Sequence, residues 1–175
     1  MEAHGWRLFV HPLFQAQLEK LVKRVGKLAS SDPDASDRGS DQGSDQGGYV
    51  SHPATKILAT INHYIRDAIP RDPHGPEFRQ GNTLGQGNRH WFRARFYGRY
   101  RLFCRFSTGQ RIIVYVWVDD EGSLRKSGSK TGPYAVFKAM IETGEPPNSF
   151  AELLRATNQI DASEGSRSRP TGKKK

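Results

Sequence analysis

Arginine is the residue type that could do chemistry in the middle of this 175-residue chain. Residues 78–118 contain eight arginines and no Asp, Glu or Lys. A guanidinium stays charged at physiological pH and binds phosphate oxygens through paired hydrogen bonds. Because no acidic residue lies within the stretch, we expect a binding partner to bring the negative charge. The alternative is a solvated structural face, since Arg side chains also cover apolar surface.

The same stretch predicts the sheet that must position these arginines. Runs at residues 91–97, 100–107 and 110–118 are separated by glycine-containing breaks, which predicts a three-stranded antiparallel meander. The third run is apolar on both faces and is predicted to be a central strand. Alternation gives the first two strands an apolar face made of Phe92, Ala94, Phe96, Leu102, Cys104 and Phe106. It gives them an opposite face made of Trp91, Arg93, Arg95, Arg101, Phe103 and Arg105.

Two helices are predicted before the meander. A short strand at residues 5–10 leads into a helix over residues 12–29, where apolar residues recur at helical spacing. Pro53 can open a second helix, which Pro70 should stop. We expect both helices to pack on the apolar face of the sheet and to leave the arginines on the other face.

Two further helices are predicted after the meander. Pro133 can open the first of them, and Ser149 with Glu152 matches a capping box that would start the second. The element order predicts an α+β fold. It is a small, mostly antiparallel twisted sheet with two N-terminal helices packed on one face and two C-terminal helices.

Two segments have compositions that cannot form a core. Residues 30–50 repeat Ser-Asp-Arg/Gln-Gly and carry a net charge of −4, which predicts a flexible linker. Residues 160–175 carry a net charge of +3 and are predicted to be a disordered basic tail. We therefore predict one domain at residues 1–159, interrupted at 30–50. With +9 on the whole chain, +10 falls on the remaining part, so its partners should be anionic.

Several function classes find no support in the sequence. A single cysteine, Cys104, and six scattered histidines build neither a disulfide nor a metal cluster, and no cofactor motif is present. The Asp-rich repeat lacks the spacing of a calcium loop. Residues 128–131 fail the spacing of a nucleotide-binding loop. No signal peptide or long apolar run is recognisable, so we expect a cytoplasmic protein without a membrane partner.

A second group of cations lies outside the sheet. Arg125, Lys126 and Lys130 are placed in a loop that ends at the predicted helix opened by Pro133. Free backbone N–H groups at a helix N-terminus favour anions. The loop and the arginine face could therefore bind the same phosphate, although a merely solvated loop is the alternative.

These stretches resemble one known family. Four stretches of the chain are similar to the YhaV toxins, within the RelE superfamily of ribosome-dependent mRNA interferases. They are GWRLFVHPLF, ATKILATI, PEFRQGNTLGQGNRHWFRARFYGRYRLFCRF and VYVWVDDEGSLRKSGSKTGPYAVFKAMIETGEPP. The resemblance covers roughly residues 5–29 and 53–155. It implies a RelE-like domain that cleaves mRNA in the ribosomal decoding site by attack of a ribose 2′-OH on the adjacent phosphate, without a metal, and so inhibits translation and growth.

The resemblance also implies partners. These are the ribosome, mRNA and a cognate antitoxin, which we expect to be small and acidic and to carry a DNA-binding domain. Operator DNA would be reached only through that antitoxin. A non-catalytic RNA- or ribosome-binding module of the same fold, or a domain that binds an acidic protein, remains the alternative. Growth arrest on expression without the antitoxin distinguishes the toxin from either of these.

Residue roles follow from the resemblance by position. Arg101 should clamp the phosphate, Arg125 should be a second phosphate-stabilising arginine, and Tyr134 should stack on or orient the base. The general base stays open between Lys126, Lys130, His90 and a tyrosine, because arginine, with a pKa above ~12, is a poor base. The expected catalytic group is Arg101, Arg125, Tyr134 and Lys130. The expected RNA-binding group is Arg93, Arg95, Arg99, Lys126, His90 and Trp91.

Overall fold

The computed structural model describes residues 1–31, 48–119 and 132–159. Its strands are β1 (Glu2–Ala3), β2 (Trp6–Val10), β3 (Phe92–Phe96), β4 (Tyr100–Ser107), β5 (Ile112–Val118) and β6 (Asn158–Gln159). Its α-helices are α1 (Pro12–Ser30), α2 (Pro53–His63), α3 (Pro133–Glu142) and α4 (Phe150–Arg155). The predicted linker at 30–50 lies mostly, and the tail at 160–175 entirely, outside the described residues. The single-domain boundaries stay a prediction.

The strands form one mixed sheet in the order β1-β2-β5-β4-β3, with β6 paired to β2. The meander β3-β4-β5 is antiparallel, as predicted, whereas β2 runs parallel to β5. Strand β5 therefore lies between β2 and β4, which confirms its central position. All seven of its residues are buried, as expected for a strand covered on both faces.

The turn between β3 and β4 fixes the register of the arginines. Tyr97 and Gly98 both take positive φ values, 47° and 70°, a conformation that tight hairpins require and that glycine adopts without strain. The Tyr97 hydroxyl is held 2.8 Å from the Thr60 hydroxyl. The resulting register places Arg95 directly opposite Arg101.

The first face of the sheet is covered by the two N-terminal helices, as predicted. Phe14 of α1 and Ile61 of α2 are buried in one hydrophobic cluster with Leu102, Cys104 and Tyr115 of the sheet. The alternation predicted for β3 and β4 is confirmed, since the six residues of the predicted apolar face all belong to this cluster or pack against it, whereas Phe103 lies in the cluster on the other face.

The second face is not the open arginine surface that the sequence predicted. Helix α3 packs on it and builds a second core around Phe103, Trp117 and Phe137, with the Phe103 and Phe137 rings stacked at 4.1 Å. The physical reason lies in β5, whose apolar side chains point to both faces and need a cover on each. Only part of this face is left for arginine.

Two helix boundaries also differ from the prediction. Pro70 does not stop the second helix, because α2 continues through a π-helical turn (Tyr64–Ala68) into a last α-helical turn (Ile69–Arg71). Pro70 follows a π-helical turn, where the regular i→i−4 hydrogen-bond pattern is already interrupted, and the helix ends one residue later at Arg71. Ser149 precedes α4, but its side chain makes no capping hydrogen bond, so the predicted capping box does not form. No described helix is long and apolar enough to cross a membrane.

Candidate active site

Arg93, Arg101 and Tyr134 meet on the second face of the sheet and are called the arginine–tyrosine cluster below. Tyr134 lies in the first turn of α3, beside its N-cap Gly132. Its hydroxyl accepts a hydrogen bond from Arg93 Nε at 2.8 Å. Arg93 Nη1 in turn donates to the Glu77 carbonyl at 2.7 Å, which fixes the guanidinium at both ends.

Arg101 lies against the ring of Tyr134. Its guanidinium carbon is 5.2 Å from the ring centroid, within the range of a cation–π interaction. Its Nη1 donates to the Arg99 carbonyl at 2.8 Å. Its Nε is buried and has no hydrogen-bond partner among the described residues. Arg101 is thus held in place by the Tyr134 ring and by the Arg99 carbonyl.

The two arginines change the proton affinity of Tyr134. Burial raises the pKa of its phenol, but the hydrogen bond from Arg93 and the positive charge of Arg101 outweigh burial and lower the pKa below its ordinary value. The ring packs edge-on against Phe103 at 5.9 Å, so the hydroxyl has a defined position. A tyrosine held in this way gives up its proton more readily than a free one, so a larger fraction is phenolate at a given pH.

Excess positive charge surrounds the cluster. Arg95 lies directly across from Arg101, and like charges at paired positions destabilise a sheet. Arg95 and Arg99 are exposed. Within the described ranges, neither they nor the arginines of the cluster form an ion pair with Asp or Glu. A bound polyanion would relieve this repulsion.

His90 belongs to a separate group that is centred on Asn148. The Asn148 side-chain oxygen lies 2.8 Å from His90 Nε2 and accepts from Trp91 Nε1 at 2.9 Å. The amide nitrogen of Asn148 donates to Asn88 at 3.1 Å. Burial lowers the pKa of His90, Arg105 lowers it further, and Asn148 partly opposes both effects. These contacts tie the segment before α4 to the start of β3.

The prediction that Trp91 binds RNA is wrong. Its side chain is fully buried and packs edge-on against Phe137 at 5.0 Å, so it has no face on which an RNA base could stack. Arg105 is also buried and lies over the rings of Trp91 and Phe150. Burial lowers the pKa of Arg105 to about 10. Both residues serve the second core because α3 and α4 cover this end of the face.

Three expected site residues cannot be placed. Arg125, Lys126 and Lys130 lie in residues 120–131, outside the described residues. The segment joins the end of β5 to Gly132 and Tyr134. Their assignment as catalytic or RNA-binding residues stays a prediction.

Two contributors to these sites were missed by reasoning from the sequence. Glu77 acts through its backbone carbonyl, which any residue could supply, so no sequence signal exists for it. Asn148 is an amide beside Pro146 and Pro147 and resembles an ordinary loop residue. In the part of the chain that the structure describes, no group of three His, Cys, Asp or Glu side chains could hold a metal ion.

A small mixed sheet holds two guanidinium groups around a tyrosine of lowered pKa. The chain belongs to the YhaV toxin family. The family model, described as a toxin with endonuclease activity of a toxin–antitoxin system, matches residues 8–158. Since that match includes both faces of the sheet and the arginine–tyrosine cluster, the chain is an endonuclease toxin.

Individual relatives agree with this placement. The chain is 38% identical over 158 residues to the ribonuclease toxin YhaV of Escherichia coli strain K12. The aligned region covers 89% of this chain and 94% of the relative. It is also 38% identical, with the same coverage, to the toxin YhaV of Escherichia coli O157:H7. No solved structure gave a significant match.

Proposed function

We propose that this chain is a metal-independent endoribonuclease that cleaves mRNA on the ribosome and is held in check by an antitoxin. The observation that carries the proposal is the arginine–tyrosine cluster, in which a phenol of lowered pKa sits between two fixed guanidinium groups. Membership of an endonuclease toxin family and similarity to a relative named a ribonuclease toxin support RNA as the substrate.

Arg101 is the group proposed to bind the scissile phosphate. It lies on β4, which pairs with a strand on each side, so its backbone position is rigid. Arg101 is only partly buried, so its guanidinium can contact a phosphate oxygen, and its charge is positioned before the reaction begins. Arg95, directly across the sheet, is placed to bind a neighbouring phosphate of the same strand.

Tyr134 is the group proposed to accept the proton of the 2′-OH. Attack forms the bond between the 2′-oxygen and phosphorus, and the bond from phosphorus to the 5′-oxygen breaks. The products are a 2′,3′-cyclic phosphate and a 5′-hydroxyl, which takes up a proton. The lowered pKa of Tyr134 enlarges the phenolate fraction available at neutral pH. Arg93 stabilises that phenolate through its hydrogen bond.

Metal independence is proposed from the charge that the chain itself provides. Negative charge grows on the phosphoryl oxygens as the 2′-oxygen attacks, and fixed cations lower the energy of that state. Arg101 supplies one such cation on the sheet. We propose that Arg125 adds a second, with Lys126 and Lys130 contributing to RNA binding or proton transfer from the same loop.

Purified protein and defined mRNA test the proposal. Wild-type protein should cleave mRNA in a programmed ribosome far faster than the same mRNA free in solution, and the slow cleavage of the free mRNA should be the same with or without EDTA. A 2′-deoxy substitution at the cleaved nucleotide should abolish the reaction, because the nucleophile is removed. Equal cleavage of free and ribosome-bound mRNA would contradict ribosome dependence, and cleavage of the 2′-deoxy substrate would contradict the mechanism.

A further inference from the structure

A groove between α1 and α2 lies on the face of the sheet opposite the arginine–tyrosine cluster. It encloses a cavity of about 860 Å³. Its sheet-side wall is the end of β5 at Val118 and the start of β4 at Tyr100. Both residues belong to the core of the first face, whereas Tyr134 packs against the core of the second. The groove is therefore separated from the candidate active site by the sheet.

The floor of the groove is aliphatic. Leu21 and Ile57 line it and are only half-buried, and Ile61 lies beneath them. Helix α1 has a single fully buried residue, Phe14 near its N-terminus. Further along the helix, Val22 is 49% exposed. The C-terminal half of α1 thus presents apolar side chains that the described residues cover incompletely.

The rim of the groove is basic along α1, whereas Asp119 lines the groove on the sheet side. Lys20, Lys23, Arg24 and Lys27 of α1 line it. Within the described ranges, the three lysines form no ion pair. Glu19, the one acidic residue of α1, already accepts a hydrogen bond from Gln15. The α1 side of the groove therefore presents an array of positive charge beside an aliphatic floor.

We propose that this groove is the docking site for an acidic amphipathic helix of the antitoxin. The proposal rests on the proposed function, which makes an antitoxin the expected partner. An aliphatic floor beside a basic rim complements a helix with apolar residues on one face and carboxylates along its flank. Among the described lining residues, Tyr100 is the one Phe, Tyr or Trp, and it is buried and stacked on Phe96 at 5.4 Å, so no such ring is exposed for stacking bases, and this disfavours single-stranded RNA.

Two other occupants fit the groove less well. Residues 32–47 of this chain are acidic, but their only apolar side chains are Pro33 and Ala35, which are too small to cover the floor. A second copy of the chain would bring one basic rim against another, and like charges disfavour that contact. An acidic partner with large apolar side chains meets both requirements.

Charge reversal tests the proposal on the full-length chain. The probe is the small acidic protein encoded beside the toxin gene, purified and titrated by stopped-flow fluorescence. Lys20→Glu/Lys23→Glu should slow association about tenfold or more and flatten its salt dependence, because rim charges act mainly on the association rate. Leu21→Ala should instead speed dissociation. The matched control is Lys56→Glu/Arg66→Glu, which makes the same charge change on exposed positions outside the groove.

The outcomes separate this proposal from the proposed function. If the groove is the docking site, the groove variant cleaves ribosome-bound mRNA at the wild-type rate but escapes inhibition by the antitoxin, and deletion of residues 36–47 changes neither result. Wild-type antitoxin binding by the groove variant would overturn the docking proposal. So would a loss of RNA binding in place of antitoxin binding, or tighter antitoxin binding after the deletion. Failure of wild-type protein to cleave RNA would overturn the function and leave the binding measurement intact.

Discussion

The Nε atom of Arg93 donates a hydrogen bond to the Tyr134 hydroxyl at 2.8 Å and joins two residues that are 41 positions apart in the chain. Through this bond, strand β3 sets the proton affinity of a side chain on helix α3. The bond stabilises the phenolate more than the phenol, and so it helps to lower the pKa of Tyr134 despite burial, which acts in the opposite direction.

The first prediction concerns this pair. A base works only when deprotonated, so the cleavage rate should rise with pH and level off above the pKa of Tyr134. Arg93→Ala removes the hydrogen bond, which should raise that pKa and move the rising limb to higher pH. Arg93→Lys should move it less, because the charge is kept. Single-turnover cleavage of ribosome-bound mRNA between pH 6 and 9 measures the shift.

Tyrosine labelled with ¹³C at Cζ gives an independent measurement of the same pKa, with Tyr134→Phe identifying the signal. Arg93→Ala also leaves the Glu77 carbonyl without its donor, so rates should be compared only for variants with matched melting temperatures. An unchanged pH profile in both Arg93→Ala and Tyr134→Phe would show that another group takes the proton.

The second prediction concerns Arg101. Arg101→Ala should lower the single-turnover rate ~10²–10³-fold, which is typical for the loss of one positioned donor, and should abolish growth arrest. Arg101→Lys should recover only part of the rate, since a point charge cannot replace a planar fork of donors. Arg66→Ala, an exposed arginine on the π-helical turn after α2, is the control and should cleave normally. Wild-type rates in Arg101→Ala would make Arg101 an ordinary surface charge.

Much of the fold was predictable because its determinants are local. Alternation in β3 and β4 assigned their two faces correctly, and the doubly apolar β5 was correctly placed inside the sheet. The parallel pairing of β2 with β5 was not predicted, because it joins residues about a hundred positions apart and leaves no local pattern. The apolar side chains of β5 on the second face require a cover such as α3. The sequence nevertheless predicted a solvent-exposed face, because β3 and β4 carry arginines there.

The candidate site was predictable by residue type and less so by geometry. Arginines on one face of β3 and β4 pointed to phosphate binding, and the resemblance supplied Tyr134. The contact between Arg93 and Tyr134 depends on how α3 crosses the sheet, which the sequence does not specify. Trp91 was misassigned because alternation identifies a face of the sheet and not whether another element covers that face.

The third prediction concerns phosphate contacts by Arg95. If the arginine face binds RNA, affinity should fall steeply with salt, with a slope of about −0.7 per phosphate for a single strand. Arg95→Ala should make the slope about 0.7 shallower, because one phosphate contact is lost. Fluorescence anisotropy with a short RNA across a salt series measures both slopes. The same slope for Arg95→Ala and wild type would exclude a phosphate contact by Arg95, and a flat titration would exclude this face as the RNA site.

The fourth prediction concerns His11, which begins helix α1. Its Nδ1 accepts a hydrogen bond from the backbone N–H of Leu13 at 3.3 Å, so that nitrogen must carry no proton. Its Nε2 lies 3.4 Å from a Glu145 carboxylate oxygen. Burial lowers the pKa of His11 from the ordinary value of 6.5, and Glu145 only partly opposes this effect. The folded protein therefore resists protonation of a side chain that the unfolded chain protonates freely.

The sign of the pH effect follows from this difference. The contribution of neutral His11 is complete above about pH 6.5 and is lost as pH falls from there towards the lowered folded-state pKa, because the unfolded chain takes up the proton first. His11→Asn keeps a side-chain cap but removes the titration. Its free energy of unfolding, measured with urea at pH 7 and pH 5, should therefore change less with pH than that of wild type.

His90, whose pKa is also lowered by burial, should leave part of the dependence in place. His63→Asn, which removes an exposed histidine, is the control. An equal pH dependence in His11→Asn and wild type would show that His11 does not resist protonation in the folded state.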